Sequence, residues 1–224
     1  MSYHFIHVDR SATDLSSVAD KYRALRLEAL QQSPTSFSST WDIESRFSND
    51  TWVSRLRNSG KETFACVYQE GQTSVWVAQV NLRGPLSVED FGLPSQSGQS
   101  PPLDEMQDEK WQMLSLYTSV SHRGKGLGAK LCREAFQFIQ NRLGNESRSA
   151  TVRIMVKPEN TVTVGLYQRL GFAKVGLCTL EEALRANGDA DLIPTGKLEE
   201  KYTTRSGIIM VLCLRKSHAI ESGF

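Results

Sequence analysis

Polar and apolar residues alternate through Tyr3-His4-Phe5-Ile6-His7-Val8, a spacing that predicts a first strand. After Asp14, a residue suited to an N-cap, apolar side chains recur at Leu15, Val18, Tyr22, Leu25 and Ala29, one face of a helix. Pro34 ends that helix. An aromatic stretch over 37–47 leads to a second helix near 50–57. β-rich runs at 63–68 and 74–80 flank Glu70-Gly71-Gln72, where glycine permits the positive φ of a tight turn, so the pair reads as a hairpin.

The pattern breaks at residue 84. Of the nineteen residues 84–102, thirteen are Gly, Pro, Ser or Gln, and the acids Asp104, Glu105, Asp108 and Glu109 follow. Such a segment buries little apolar surface against its ordering entropy, so a flexible insertion is expected over about 84–109. Whether it acts as a lid or is an inert solvated excursion stays open at this level.

Regular patterning returns at 112–120, a strand that ends in a glycine-rich turn. The next stretch carries Leu127, Leu131, Ala135, Phe138, Ile139 and Leu143 at helical spacing, with Gly144-Asn145 as its stop, before a strand at 151–156. Strand, helix, strand predicts a right-handed crossover between parallel neighbours. A short helix at 161–170 and strands near 173–179 and 207–214 follow. Between those last strands lies a polar excursion containing Asn187-Gly188-Asp189 and Pro194-Thr195-Gly196. With no internal repeat and no linker composition, residues 1–224 read as one domain.

Composition narrows the class. The chain has 224 residues, 39% hydrophobic and 23% charged, with a formal net charge of +1. A chain of this size buries about 70% of its unfolded surface and needs no metal or disulfide staple. Near-neutral charge gives no footprint for sequence-independent nucleic-acid binding, and no apolar run is long enough to span a membrane. Cys66, Cys132, Cys178 and Cys213 form no CxxC pair and His4, His7, His122 and His218 no ligand cluster, so no metal is expected and the thiols read as buried and reduced. The first ten residues lack the basic region and apolar run of a secretory signal, which makes the cytoplasm, with the nucleus as alternative, the expected location. Nothing in the sequence separates a monomer from a homodimer.

The chemistry sits in Arg123-Gly124-Lys125-Gly126-Leu127-Gly128, which opens a helix directly after a strand. Free N–H groups and the positive end of the helix dipole make that place an anion site, and glycines let the backbone approach a pyrophosphate. The spacing fits neither the P-loop nor the dinucleotide fingerprint. It is RxxGxG, and thirty-two residues on from Gly128 comes Asn160-Thr161-Val162-Thr163-Val164-Gly165-Leu166-Tyr167-Gln168-Arg169-Leu170-Gly171-Phe172. The first segment resembles motif A of the Gcn5-related N-acetyltransferase (GNAT) superfamily, and the second resembles its N-x-x-A-x-x-L-Y-x-x-x-G-F segment, with Thr163 at the usual alanine. The stretch from Arg23 to Phe37 is more loosely similar.

The resemblance implies a mixed, mostly antiparallel sheet of α+β type, with a splayed central parallel pair flanked by helices. It implies that acetyl-CoA enters the splay and an amine accepts the acetyl group. The pantetheine arm would bond backbone at Thr118, Ser119 and Val120, where Val120 replaces a frequent proline. Residues 123–128 (Arg123, Gly124, Lys125, Gly126, Leu127 and Gly128) would hold the pyrophosphate, Asn160 the arm, and Tyr167 would stand near the thioester sulfur as the catalytic acid. Each has a plainer reading: Tyr167 as a core aromatic, Asn160 as an N-cap, Arg123 and Lys125 as surface charges. No carboxylate occupies 111–120 where some relatives carry a base. Candidates are Glu44, an acid in 104–109, or a water chain. Phe37, Trp41 and Glu44 are the candidate acceptor-binding residues. The expected activity is direct acetyl transfer to a primary amine of a small molecule. A protein lysine or N-terminal acetyltransferase and a catalytically silent acyl-CoA-binding module are the alternatives.

Overall fold

The computed structural model describes residues 1–100, 108–143 and 149–215. The chain runs β1 (Ser2–His7), α1 (Leu15–Gln32), α2 (Trp41–Glu44), α3 (Asn49–Arg57), β2 (Lys61–Glu70), β3 (Thr73–Leu86), α4 (Val88–Phe91), β4 (Asp108–Thr118), α5 (Leu127–Arg142), β5 (Ser149–Val156), α6 (Thr161–Arg169), β6 (Ala173–Cys178), α7 (Leu180–Asn187), α8 (Glu200–Thr203) and β7 (Gly207–Arg215). The strands form one sheet in the order β1-β2-β3-β4-β5-β7-β6. Every neighbouring pair is antiparallel except β4–β5, joined through α5. The mixed sheet with one central parallel pair is the architecture that the family resemblance implies.

Each face carries its own core. On one, α5 lays Leu131, Ala135 and Ile139 against Val80, Leu82, Val152 and Ile154. On the other, α1 and α3 bury Leu25, Ala29, Trp52 and Leu56 with Trp76 and Tyr117. The termini of these helices are fixed locally: the Ser48 hydroxyl caps α3 by accepting from Thr51 N–H at 3.1 Å, and Gly71, at φ 57°, makes the β2–β3 turn. Among the described residues no helix is long and apolar enough to cross a membrane.

Three expectations are corrected. Residues 84–100 are not an unpacked loop. Gly84 to Leu86 complete β3, α4 follows, and Phe91, Ser97 and Gln99 are buried. The reason lies in β5. Arg153 is fully buried, stacks 4.1 Å from the Phe91 ring centroid, and donates through Nη1 to Phe91 O and to Gln99 Oε1 (3.1 Å). At the far end of the insertion, Asp108 and Glu109 open β4, while 101–107, with Asp104 and Glu105, lie outside the described residues, as does the stop at Gly144-Asn145. The polar excursion after β6 contains α7, started by a capping box in which Thr179 Oγ1 accepts from Glu182 N–H (3.1 Å) and Glu182 Oε2 from Thr179 N–H (3.0 Å). Finally, Cys66, Cys132 and Cys178 are buried but Cys213 is exposed on β7.

Candidate active site

The parallel ladder is short. It pairs Asp108 with Ser149 through Gln112 with Arg153 and stops there. Beyond it, Met113 to Leu116 on β4 and Met155 to Val156 on β5 wall a cleft that also takes in Phe37, Asn160 and Tyr167. The splay expected from the resemblance is therefore present, and its cause on the β4 side is a bulge. Gln79 lies opposite Tyr117 but Asn81 lies opposite Leu114, so Ser115 and Leu116 have no register partner on β3, and Ser115 adopts φ 59°.

Beyond the bulge the ladder fixes which backbone groups reach the cleft. Ser119 N–H bonds to Val77 O at 2.8 Å, so the adjacent Ala78–Thr118 pair is the non-hydrogen-bonded one, and the N–H and C=O of Thr118 point away from β3. Of the three residues expected to bond a pantetheine arm, Ser119 thus spends its N–H on the sheet and its carbonyl on His122 N–H (2.9 Å). Val120 O accepts from Arg123 N–H (3.3 Å). Thr118 presents both groups, with its carbonyl currently taken by Arg123 Nε at 3.0 Å.

The glycine-rich turn delivers α5 with its N-terminus toward the end of β4. Gly124 and Gly126 have φ of 76° and 73°, and a Cβ on either would meet no atom within 4 Å, so conformation rather than space demands glycine here. The first helical main-chain bond is Lys130 N–H to Gly126 O (3.1 Å), which leaves the N–H groups of Leu127, Gly128 and Ala129 without intrahelical acceptors. Arg123 and Lys125 are exposed and tethered rather than loose. Arg123 reaches Ser33 Oγ (3.3 Å) and lies over the Tyr117 ring, and Lys125 Nζ donates to Tyr3 OH at 2.8 Å.

Asn160 caps α6, accepting from Thr163 N–H at 3.3 Å, and also donates to Ser36 Oγ at 3.1 Å, which ties α6 to the segment after α1. Tyr167 is 5% exposed, edge-on to Phe172 at 5.3 Å, and its hydroxyl has no hydrogen-bond partner among the described residues although the residue lines the cleft. Burial, with a small contribution from Cys132, holds its phenol well above the ordinary value of 10.0, so it stays protonated at neutral pH. Burial likewise pushes the Cys132 and Cys178 thiols up to about 12 and Cys66 to about 11, far from nucleophilic thiolates.

The expected acceptor residues divide. Phe37 lines the cleft; Trp41 is 40% exposed on α2 and does not. Glu44 is a correction: it is completely buried and grips Arg26 in a two-pronged pair (2.6 and 3.0 Å), with Arg55 at 3.3 Å. Burial alone would raise its carboxyl, but the hydrogen bonds and charge of Arg26, helped by Arg55, outweigh that and hold it below 4.5. Both oxygens of this carboxylate are thus already engaged by arginines, and Glu44 does not line the cleft. Asp108 and Glu109 sit where the ladder begins, opposite the splayed end, bonded to Lys110, Ser149 and Thr151 and to Trp111. The carboxylate that does line the cleft is Asp189, which the sequence offered only as part of a turn; it lies 3.5 Å from Lys61 and 3.8 Å from Arg55. Among the described residues no group of His, Cys, Asp or Glu is arranged to hold a metal ion.

Known proteins resemble this chain in sequence or in fold. The N-alpha-acetyltransferase RimI of Mycobacterium tuberculosis is 26% identical over 83 residues, 37% of this chain and 44% of that protein, so the chain aligns with less than half the length of this curated relative. A GNAT-family acetyltransferase from Streptococcus pneumoniae superposes with a TM-score of 0.57 at 15% identity, over 95% of this chain and 99% of that one. Spermidine N-acetyltransferase from Vibrio cholerae, solved with CoA and spermine, gives 0.51 at 13% identity, over 96% of each chain. These likenesses establish the fold. The model of the acetyltransferase (GNAT) family matches residues 27–172, from within α1 through the splayed strands, the glycine turn and Tyr167 to Phe172, and this chain belongs to that family.

Proposed function

We propose that the protein is an acetyl-CoA-dependent N-acetyltransferase that transfers acetyl directly to a primary amine of a small molecule. The observation that carries this reading is the meeting, at one opening in the sheet, of unpaired β4 backbone and a Tyr167 hydroxyl without a partner among the described residues, with the start of α5 lying against Thr118. Acetyl-CoA would supply the acetyl group as a thioester. The N–H groups at the start of α5 suit its pyrophosphate, Thr118 suits an amide of its arm, and the backbone at the Ser115–Leu116 bulge suits the developing oxyanion. The acceptor nitrogen, once it has lost its proton, forms the C–N bond as the C–S bond breaks, and the proton balance closes when the leaving thiolate becomes a thiol. Tyr167 would donate a hydrogen bond to that sulfur. Its raised pKa, against about 8.5 for a thiol, makes it a stabilising donor more than a strong acid. With Glu44 engaged by Arg26, a water chain past Asp189 is the route we assign to the amine proton.

The similarity to RimI favours a second reading, transfer to a polypeptide α-amine. A thiol-release screen with acetyl-CoA against amines, amino acids, amino sugars, polyamines and peptides tests both. Turnover of free small amines is expected; turnover confined to peptides would favour the second reading. Tight acetyl-CoA binding without turnover anywhere would reduce the protein to a binding module.

A further inference from the structure

We propose that the acceptor carries a carboxylate close to its reacting amine, as an α-amino acid does, and that this carboxylate is held in the recess beneath the Ser115 bulge by Arg26 and Lys61. The inference rests on the acetyltransfer reading above. The recess adjoins the cleft, and the two share Arg26, Leu114, Ser115 and Asp189 as walls. An acceptor amine placed at the bulge therefore has its nearest substituents facing the recess.

Charge enters the recess from α1, α3, β2 and the segment after α7. Arg26 comes from α1, Arg55 from α3, Lys61 from the start of β2, and against these three cations stand two carboxylates, Glu44 and Asp189. Glu44 is consumed by the two arginines. Lys61, its side chain only 15% exposed, has Asp189 at 3.5 Å as its counter-ion. Arg83 adds positive charge nearby; burial, with Arg55 and Arg83, draws the Lys61 ammonium below its usual value despite Asp189.

Two orphaned groups sit in the same walls. Arg26 Nη1 is buried without a hydrogen-bond partner among the described residues. Asn81 is 5% exposed and binds Tyr22 OH (3.2 Å) with one end of its amide, leaving the other end unpartnered among the described residues in either amide orientation. A buried donor left unmade costs free energy that a ligand acceptor recovers. A carboxylate supplies acceptors for Arg26 Nη1 and for Lys61 and cancels the excess positive charge. It also frees Asp189 to face the amine. A polyamine would instead bring a second ammonium against Arg26 and Lys61, a repulsive contact.

The test compares matched acceptors by thiol release: proteinogenic amino acids, their carboxamides and their decarboxylated amines, each across pH so that amine ionisation is separated from recognition. The expected result is kcat/KM at least tenfold higher for the free acid. Lys61→Met should erase that preference, lowering kcat/KM for the free acid more than for its carboxamide and decarboxylated amine, and Lys61→Arg should retain it. Equal kcat/KM across a matched set, or a preference for the decarboxylated amine or a polyamine, overturns the inference and leaves acetyl transfer standing. No turnover of any amine by protein that still binds acetyl-CoA overturns the acetyltransfer reading and this inference with it.

Discussion

Gln112 and Arg153 are the last opposed residues of the parallel pair, and their side chains are joined where the sheet opens, Arg153 Nε donating to Gln112 Oε1 at 2.7 Å. Arg153 has no carboxylate partner among the described residues, and burial lowers its guanidinium to about 10. Its neutral acceptors, Gln112, Gln99 and Phe91 O, therefore serve Nε and Nη1, while Nη2 is buried without a partner among the described residues. Gln112→Leu should destabilise the protein by about 1–3 kcal/mol through the orphaned guanidinium nitrogen. Urea denaturation measures it, and an unchanged midpoint would show that Arg153 finds another acceptor.

Glu44 predicts a larger loss with a definite pH dependence. Removing the charge in Glu44→Gln leaves Arg26 buried and uncompensated, a change expected to cost about 3–5 kcal/mol. Because the folded carboxyl titrates below 4.5, the ion pair's contribution is fully present above that pH and is lost as pH falls through the lower folded value. Wild type should thus lose its advantage over Glu44→Gln progressively below about pH 4.5, read as converging urea midpoints. A constant difference down to acid pH would contradict the pairing.

Gly126 separates strain from ligand binding. Gly126→Ala puts a Cβ into open space at φ 73°, so the stability cost should be only the left-handed penalty, about 1–2 kcal/mol. If the turn holds a pyrophosphate, calorimetry should show weakened acetyl-CoA affinity in the folded variant. Undiminished affinity would remove the turn from the cofactor site.

Tyr167→Phe keeps the ring against Phe172 and deletes a hydroxyl that bonds nothing among the described residues, so stability should change little. Turnover at saturating acetyl-CoA should fall by about 10²-fold, the low end for a positioned proton donor. A kcat within about twofold of wild type, with chemistry rate-limiting, would assign Tyr167 to packing alone.

What the sequence made legible was periodic or contiguous. The 3.6-residue spacing of α1 and α5, the Gly71 turn and the two family segments are local patterns, and they were enough for the sheet's parallel centre. What stayed hidden depends on distant partners. Phe91 lies in a run of glycine, proline and serine, and only Arg153, sixty-two residues away, turns it into an anchor. Glu44 looked available because Arg26 and Arg55 belong to two other helices. By contrast α7 was readable: Thr179 followed by Glu182, Leu184 and Gly188 is a start, a buried face and a stop, obscured by the polar residues around it.

The five opposed pairs of β4 and β5 give the sheet a seam, with β1–β4 on one side and β5–β7 on the other. Any molecule bonding main chain on both walls of the opening acts as a splint across that seam, so its binding free energy is also cohesion between the halves. At a hundredfold excess over Kd such a ligand adds about 2.7 kcal/mol against unfolding. If acetyl-CoA binds in this opening as proposed, it is also where an empty and an occupied enzyme differ most in mechanical stiffness, and amide exchange in Met155, Val156 and Thr118 should record which one is present.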